Sequence, residues 1–179
     1  MRSKSILKSL LFVALTQLTC SLAWGIETLS YRLLTKVDNI EIRSYSEHLL
    51  ATVNVDSGFS RAGYSAFGDL FNYISGNNQE KQKIAMTAPV IQSPTEKGWA
   101  VSFVMPELLL AQGMPEPQSN QVFQEKVESR LMAAIQYSGS WRESKFIKHK
   151  EILVKTIKKT EYQICGPVLW ARYNPPFSL

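Results

Sequence analysis

Two runs of alternating apolar and polar residues in the first third of the chain predict a pair of β-strands. The runs cover 40–45 and 49–55, and in the second run every odd-numbered position is apolar and falls on one face. Ser46 and Glu47 lie between the runs and are typical of a tight corner. The pattern therefore predicts that the two strands form a β-hairpin.

The apolar period changes to three and four residues over 59–74, which predicts an amphipathic helix. Ser57 precedes this segment and suits a helix N-cap, while Gly76 follows it and suits a C-terminal stop. Two further strand-like runs follow at 83–92 and 99–105. The first half of the chain is thus predicted to fold as strand, strand, helix and strands.

The second half of the chain repeats the first at a shift of 82 residues. Five apolar positions meet apolar positions at this shift: Leu49, Ala51, Val53, Val55 and Phe59 meet Leu131, Ala133, Ile135, Tyr137 and Trp141. A second helix is predicted over 141–158 and a last strand over 162–171. Two such units predict a single α+β domain, in which antiparallel strands form a distorted barrel flanked by two helices.

The first 25 residues have the order of features of a secretory signal peptide. Arg2, Lys4 and Lys8 precede a short apolar stretch, and small residues allow cleavage near 23–25. The stretch is too short and too polar to favour a membrane-spanning helix. We therefore expect a periplasmic or secreted protein whose mature domain covers 26–179 and has no membrane span. An uncleaved signal that anchors the protein in a membrane is the alternative.

Charge and cysteine content exclude two kinds of protein. The formal net charge of +5 includes three cations of the signal segment, which leaves +2 for the mature domain. No basic patch interleaved with aromatic residues occurs, so nucleic-acid binding is not expected. Cys165 is the one cysteine after the signal segment, so an internal disulfide framework is excluded.

Residue patterns typical of catalysis are absent from the sequence. His48 and His149 are the two histidines, acidic residues occur singly, and no serine lies in a nucleophile-elbow motif. Two distant histidines do not make a zinc site. The sequence therefore predicts a binding protein and not an enzyme.

The apolar face of the first predicted helix is wider than packing on a sheet requires. Tyr64, Phe67 and Phe71 extend the apolar arc on one flank to roughly 200°, whereas an amphipathic helix needs about 100°. Either neighbouring protein segments cover these rings, or the rings form one wall of a groove for a flat apolar ligand. In the second case Arg61 at the edge is available to an anionic group of the ligand.

The run Lys-Ile-Ala-Met-Thr-Ala-Pro-Val at 83–90 closely resembles the signature of the SOUL haem-binding family. Supporting matches lie at 42–45, 71–78 and 171–176, in the order expected for the family. The resemblance implies a duplicated βαββ-type domain that is also similar to the effector-binding domains of bacterial regulators. It implies non-catalytic binding of haem or porphyrin, for carriage or buffering, beside the first helix and near the C-terminal Asn-Pro-Pro loop.

The resemblance also implies which residues contact the ligand. It points to Phe67 and Phe71 on the helix, with Tyr64 beside them, and to Phe177 by the loop. Asn72 stands where some relatives have a basic residue, so Arg61 or Arg172 would have to pair with an acidic group instead. His48 is a candidate ligand of the haem iron, although the family shares no single axial ligand. The alternative is a module that binds another amphipathic molecule, or a protein partner, without haem.

Overall fold

The computed structural model describes residues 25–174 of the chain. Within these residues the chain forms ten strands and three helices. In chain order they are β1 (Glu27–Thr28), β2 (Tyr31–Val37), β3 (Ile40–Tyr45), β4 (His48–Val55), α1 (Phe59–Ile74), β5 (Thr87–Ala88), β6 (Val90–Thr95), β7 (Gly98–Val104), α2 (Leu109–Gln112), β8 (Phe123–Val127), β9 (Arg130–Ile135), α3 (Glu143–Ile157) and β10 (Trp170–Arg172). The predicted signal segment lies outside the described residues.

The strands form two antiparallel sheets and one short parallel pair. The larger sheet has the order β10-β6-β7-β4-β8, the smaller has the order β2-β3-β9, and β1 pairs with β5. The predicted α+β class is confirmed. Within residues 25–174 both sheets are open and no closed barrel forms, because β3 and β4 do not pair with each other.

The predicted hairpin between the first two strands is wrong. β3 pairs with β2 and β9, whereas β4 pairs with β7 and β8 in the other sheet. Ser46 and Glu47 therefore carry the chain from one sheet to the other. A corner of this kind has the same local sequence whether the next strand folds back or crosses over, so pairing with distant strands decides the outcome.

Helix α1 begins and ends at the predicted residues. Its N-cap is Gly58 and not Ser57, and Gly58 offers no side-chain hydrogen bond. At the C-terminus the amide of Asn77 donates to the carbonyl of Asn72, and that of Gly76 donates to Tyr73. Gly76 has φ +109°, so this end is a Schellman motif that requires a residue tolerant of positive φ.

Small side chains bring α1 close to the larger sheet. Ala62 and Ala66 are completely buried, and with Leu70 they pack on Val53 of β4 and Val101 of β7. Gln92 of β6 donates to the carbonyl oxygen of Phe59 at 3.0 Å and ties the first turn of the helix to the sheet. These contacts fix one side of α1 against the sheet. The rest of the helix surface faces away from the sheet.

The second half of the chain keeps the predicted strand-to-helix succession. β9 begins 82 residues after β4, and α3 lies within two residues of the predicted segment. Leu153 and Ile157 of α3 pack on Ile40 and Ile42 of the smaller sheet. The predicted strand over 162–171 is mostly irregular, because Gly166 and Pro167 interrupt it, and only β10 joins the sheet.

A buried arginine occupies the face of the smaller sheet that turns away from α3. Arg43 is 7% exposed, pairs with Glu41 at 2.7 Å and lies 4.0 Å from the centre of the Tyr31 ring. It also donates to the hydroxyl of Tyr45 at 3.2 Å. Lys36 completes the arrangement with a 2.8 Å ion pair to Glu41. A buried cation is stable here because a carboxylate and two aromatic rings surround it.

Candidate functional site

Three aromatic side chains of α1 remain exposed after the helix has packed on its sheet. Tyr64 is 71% exposed, Phe67 47% and Phe71 49%. The described residues therefore cover about half of each phenylalanine ring and less of Tyr64. Exposed rings that lie together on one helix flank form an apolar patch, which is a feature of many interaction surfaces.

Phe67 and Phe71 form an exposed aromatic ledge. Their ring centres are 5.6 Å apart and their planes differ by 13°, so the two rings stack on each other. The edge of Phe67 also contacts buried Phe103 of β7, with ring centres 5.8 Å apart, which anchors the ledge to the core. The ring edges and the outer face of this stacked pair give an apolar molecule a contact surface on a rigid helix.

Two hollows of the described surface lie away from the ledge. One is lined by Asn54, Val55, Asp56, Thr95, Glu96 and Lys97. The other is lined by Leu49, Leu109, Leu110, Gly113, Met114, Gln124, Glu125 and Lys126. Neither includes Tyr64, Phe67 or Phe71, so the ledge lies outside both hollows.

Arg172 of β10 lies against the N-terminal half of α1. A Cβ atom added at Gly63 would lie 2.5 Å and 2.9 Å from the two terminal guanidinium nitrogens, so glycine at this position makes room for the cation. The guanidinium carbon lies 5.1 Å from the Trp141 ring centre and 5.0 Å from that of Trp170. Burial lowers the pKa of Arg172, although arginine stays protonated in proteins.

Sequence reasoning named Arg172 only as a substitute cation and missed its surroundings. Trp141 and Trp170 belong to an aromatic cluster with Phe59 and Phe146, which joins the starts of α1 and α3 to β10. The signal that could have found this site is Gly63, because an isolated glycine within a helical pattern often marks a close approach of another group.

The other two predicted helix residues lie outside the ledge. Arg61 and Asn72 are exposed, and at 100° per residue their side chains point roughly 80–140° away from those of Phe67 and Phe71. The structure thus places both on the solvent-facing side of α1, where they could reach only the rim of a bound ligand. Phe177 lies outside the described residues.

His48 is not brought together with the aromatic ledge. It pairs with Val127 at the start of β4 and shares a sheet face with Leu50, whereas α1 covers the opposite face through Ala51 and Val53. Its Nδ1–H donates to the carbonyl oxygen of Ser46 at 2.9 Å, and buried Nε2 has no hydrogen-bond partner among the described residues. An iron atom above the ledge would therefore lie on the wrong side of the sheet for His48.

No other described group supplies an obvious metal site. Within residues 25–174 no three His, Cys, Asp or Glu side chains come together in a way that could hold a metal ion. His149 stacks on the Tyr137 ring at 3.8 Å and its Nδ1–H donates to the carbonyl of Lys145 at 2.7 Å.

Within residues 25–174 no helix is both long and apolar enough to cross a membrane.

The family model described as SOUL heme-binding protein matches residues 26–179, which is most of the chain. No curated protein matches the chain.

Proposed function

Because the chain belongs to the SOUL heme-binding protein family, we propose that it binds haem or a related tetrapyrrole on the aromatic ledge of α1 without catalysing a reaction. The observation that carries this proposal is the exposure of Tyr64, Phe67 and Phe71 beside a fully packed helix face. A tetrapyrrole is flat and apolar on both faces, so it can rest against the exposed parts of these rings. The ledge offers the matching surface.

The exposed area supports binding of moderate strength. Aromatic side chains bury roughly 150–250 Å² each, so three rings at these exposures leave on the order of 300 Å² for a ligand to cover. Covering this area contributes about 7 kcal/mol at 25 cal/mol/Å², and the ligand face adds a comparable amount. Association costs of roughly 4–15 kcal/mol oppose it. We therefore expect affinity in the micromolar range, about −8 kcal/mol.

Apolar contact, and not iron ligation, supplies most of the binding in this proposal. Phe67 and Phe71 contact the macrocycle, Tyr64 extends the surface, and Arg61 and Asn72 lie at its rim. His48 is separated from the ledge by the sheet, so loss of this side chain should change the affinity little. Phe177 remains a candidate for the wall contributed by the C-terminal loop.

Export fits this proposal but is a separate expectation. The predicted signal segment would deliver the protein to the periplasm or the exterior, where it would carry or buffer haem. Mass spectrometry of the secreted or periplasmic protein tests this. A mature N-terminus near residue 26 is expected, and an intact signal segment would favour the membrane-anchored form.

Haemin titration of the purified domain tests the binding proposal. The Soret band should shift and saturate at roughly micromolar concentrations, and iron-free protoporphyrin should compete because the ledge contacts the ring and not the iron. The absence of a saturable shift up to about tens of micromolar rejects haem binding. The exposed ledge would then favour the alternative function, the binding of another amphipathic molecule or of a protein partner.

A further inference from the structure

The α3 helix and its two ends hold most of the positive charge of the domain. Between Arg142 and Lys159 there are seven cations and two acids, so this segment has a net charge of +5. The predicted mature domain has a net charge of +2, which leaves −3 on all its other residues together. The α1 helix has one cation and one acid, Arg61 and Asp69. This asymmetry of charge favours one orientation of the protein at a negatively charged surface.

The charged side of α3 lies opposite the side that packs on the protein. Three apolar side chains of the helix are buried: Phe146, Leu153 and Ile157. At 100° per residue, Lys148 and Lys155 point roughly 160–180° away from the centre of this buried side. Two further lysines follow at the end of the helix. We define the basic face of α3 as these four exposed lysines: Lys148, Lys155, Lys158 and Lys159.

No carboxylate among residues 25–174 neutralises the basic face. The ion pairs in this part of the chain involve other cations: Lys36, Arg43 and Lys126. Glu151 lies one helical turn from both Lys148 and Lys155, yet its carboxylate forms an ion pair with neither. Lys145 is not included in the face, because its ammonium group donates to the carbonyl oxygen of Ser138. The basic face therefore presents four charges that are free to meet an anionic partner.

The composition of the basic face favours a lipid surface over a protein or a nucleic acid. Protein interfaces are depleted in lysine and enriched in aromatic residues and arginine. Sites for single-stranded nucleic acid place aromatic residues among the cations. Residues 147–159 contain no arginine, phenylalanine, tyrosine or tryptophan. Clusters of about four to eight cations on one helix are, in contrast, typical of binding to anionic lipid headgroups.

The placement of α3 restricts such binding to the headgroups. An amphipathic helix that lies in a membrane buries its apolar side among the acyl chains. The apolar side of α3 is unavailable, because Leu153 and Ile157 pack on Ile40 and Ile42 of the smaller sheet. The outward side is a straight row of charges, in which Lys148 and Lys158 lie about 15 Å apart along the helix axis. A row of this kind fits a flat anionic surface without insertion.

We propose that the basic face of α3 docks the protein on the surface of a lipid bilayer that contains anionic lipids. The contact is electrostatic, and the net negative remainder of the domain faces away from the bilayer. The aromatic ledge of α1 takes no part in it. This inference goes beyond the proposed function and does not depend on it.

Sedimentation with lipid vesicles tests the proposal on residues 26–179, without the predicted signal segment. Vesicles of phosphatidylcholine with about 30 mol% phosphatidylglycerol should bind the protein, whereas vesicles of phosphatidylcholine alone should not. The partition coefficient should fall about tenfold or more when NaCl is raised from about 0.05 M to about 0.5 M, because salt screens exposed charges. Failure to bind the anionic vesicles at low salt overturns the proposal, and so does equal binding to both kinds of vesicle.

Charge-removing variants locate the contact on α3. A lysine near an anionic surface contributes about fivefold to the partition coefficient, so Lys148→Gln combined with Lys155→Gln should weaken binding about 10- to 30-fold. Lys83→Gln combined with Lys97→Gln is the matched control, because it removes two exposed charges outside α3 and should change binding less than about twofold. An equal loss in the control would overturn the assignment to the basic face.

A charge-keeping variant and two other polyanions complete the test. Lys148→Arg combined with Lys155→Arg should bind within about twofold of the wild type, because only the charge is required. All of these positions are exposed, so circular dichroism should show the same fold in every variant. Tighter binding of poly-glutamate or double-stranded DNA than of the anionic vesicles, at equal concentrations of negative charge, would overturn the lipid assignment in favour of an acidic protein or a nucleic acid.

Discussion

Replacement of Phe67 and Phe71 by serine should abolish most tetrapyrrole binding while the domain stays folded. Each ring leaves about 100 Å² exposed, given exposures of 47% and 49% and roughly 200 Å² for a whole aromatic side chain. At 25 cal/mol/Å² complete coverage of each ring contributes about 2.5 kcal/mol. A ligand stacked on one face covers roughly half of this, so the double variant should lose about 2–3 kcal/mol, or about 30- to 150-fold in affinity.

The domain should tolerate these changes because neither ring belongs to the core. The variant loses the contact of Phe67 with Phe103, the contact of the two rings with each other and the buried half of each ring. Aromatic pairs contribute about 0.5–1.5 kcal/mol each beyond the area that they bury, and that area contributes up to about 2.5 kcal/mol for each ring, so the free energy of unfolding should fall by roughly 3–6 kcal/mol. Urea unfolding of the variant without ligand measures this cost separately from the affinity.

Phe123→Ser is the matched control for surface exposure. Phe123 is 52% exposed, and it pairs with Thr52 on the sheet face opposite α1. Haemin titration of this variant should give the wild-type affinity, and so should titration of His48→Asn. Equal losses in Phe123→Ser and in the ledge variant would show that the effect of serine is general and would refute the assignment of the ledge. A larger loss in His48→Asn would show that iron ligation dominates.

Three further substitutions test the fold around the site. Gly68→Ala should raise the free energy of unfolding by about 0.5–1 kcal/mol, because alanine favours a helix and the new methyl group meets no atom within 4 Å. Asn78→Ala should lower it by about 2–3 kcal/mol, because this fully buried amide makes three hydrogen bonds to the backbone. Hydrogen bonds from Lys36 and then Arg43 hold the pKa of Glu41 below its ordinary value of 4.5. The stabilisation by Glu41 is therefore fully present above this value and lost as pH falls through the folded-state pKa, so Glu41→Gln should destabilise the protein only above that range.

Urea unfolding measures the first two effects, and its repetition across the acid range measures the third. A destabilised Gly68→Ala variant would contradict the open surroundings of that position. An Asn78→Ala change below about 0.5 kcal/mol would contradict the burial of its amide. A difference between Glu41→Gln and wild type that persists at the lowest pH would contradict the ion pairs as its cause.

The bounds of α1 could be predicted from the sequence because helical periodicity is a local property. The apolar positions repeat over sixteen residues, which is long enough to exclude a strand. The same pattern showed three aromatic residues beyond the apolar face of the helix, and the structure shows that their rings are exposed. The N-cap was wrong by one residue because Gly58 and Ser57 are both compatible with a helix start.

The pairing of strands could not be predicted, because it depends on partners far away in the chain. β3 and β4 are separated by two residues, yet each pairs with a strand more than forty residues further along the chain, and the two pairs belong to different sheets. The same limit hid the placement of Arg172 against Gly63, which brings together segments more than one hundred residues apart. The sheet face on which His48 lies could have been predicted from strand alternation. Even-numbered residues of β4 face away from the helix.

Chemical-shift mapping with iron-free protoporphyrin IX tests most directly whether a planar tetrapyrrole rests on the ledge of α1. The account predicts that ring-current shifts concentrate on the amide signals of Tyr64, Phe67 and Phe71 and saturate together in a titration. Signals of His48 and Leu50 on the opposite sheet face should stay in place. Shifts confined to that opposite face, or no saturable shift on α1, would contradict the account.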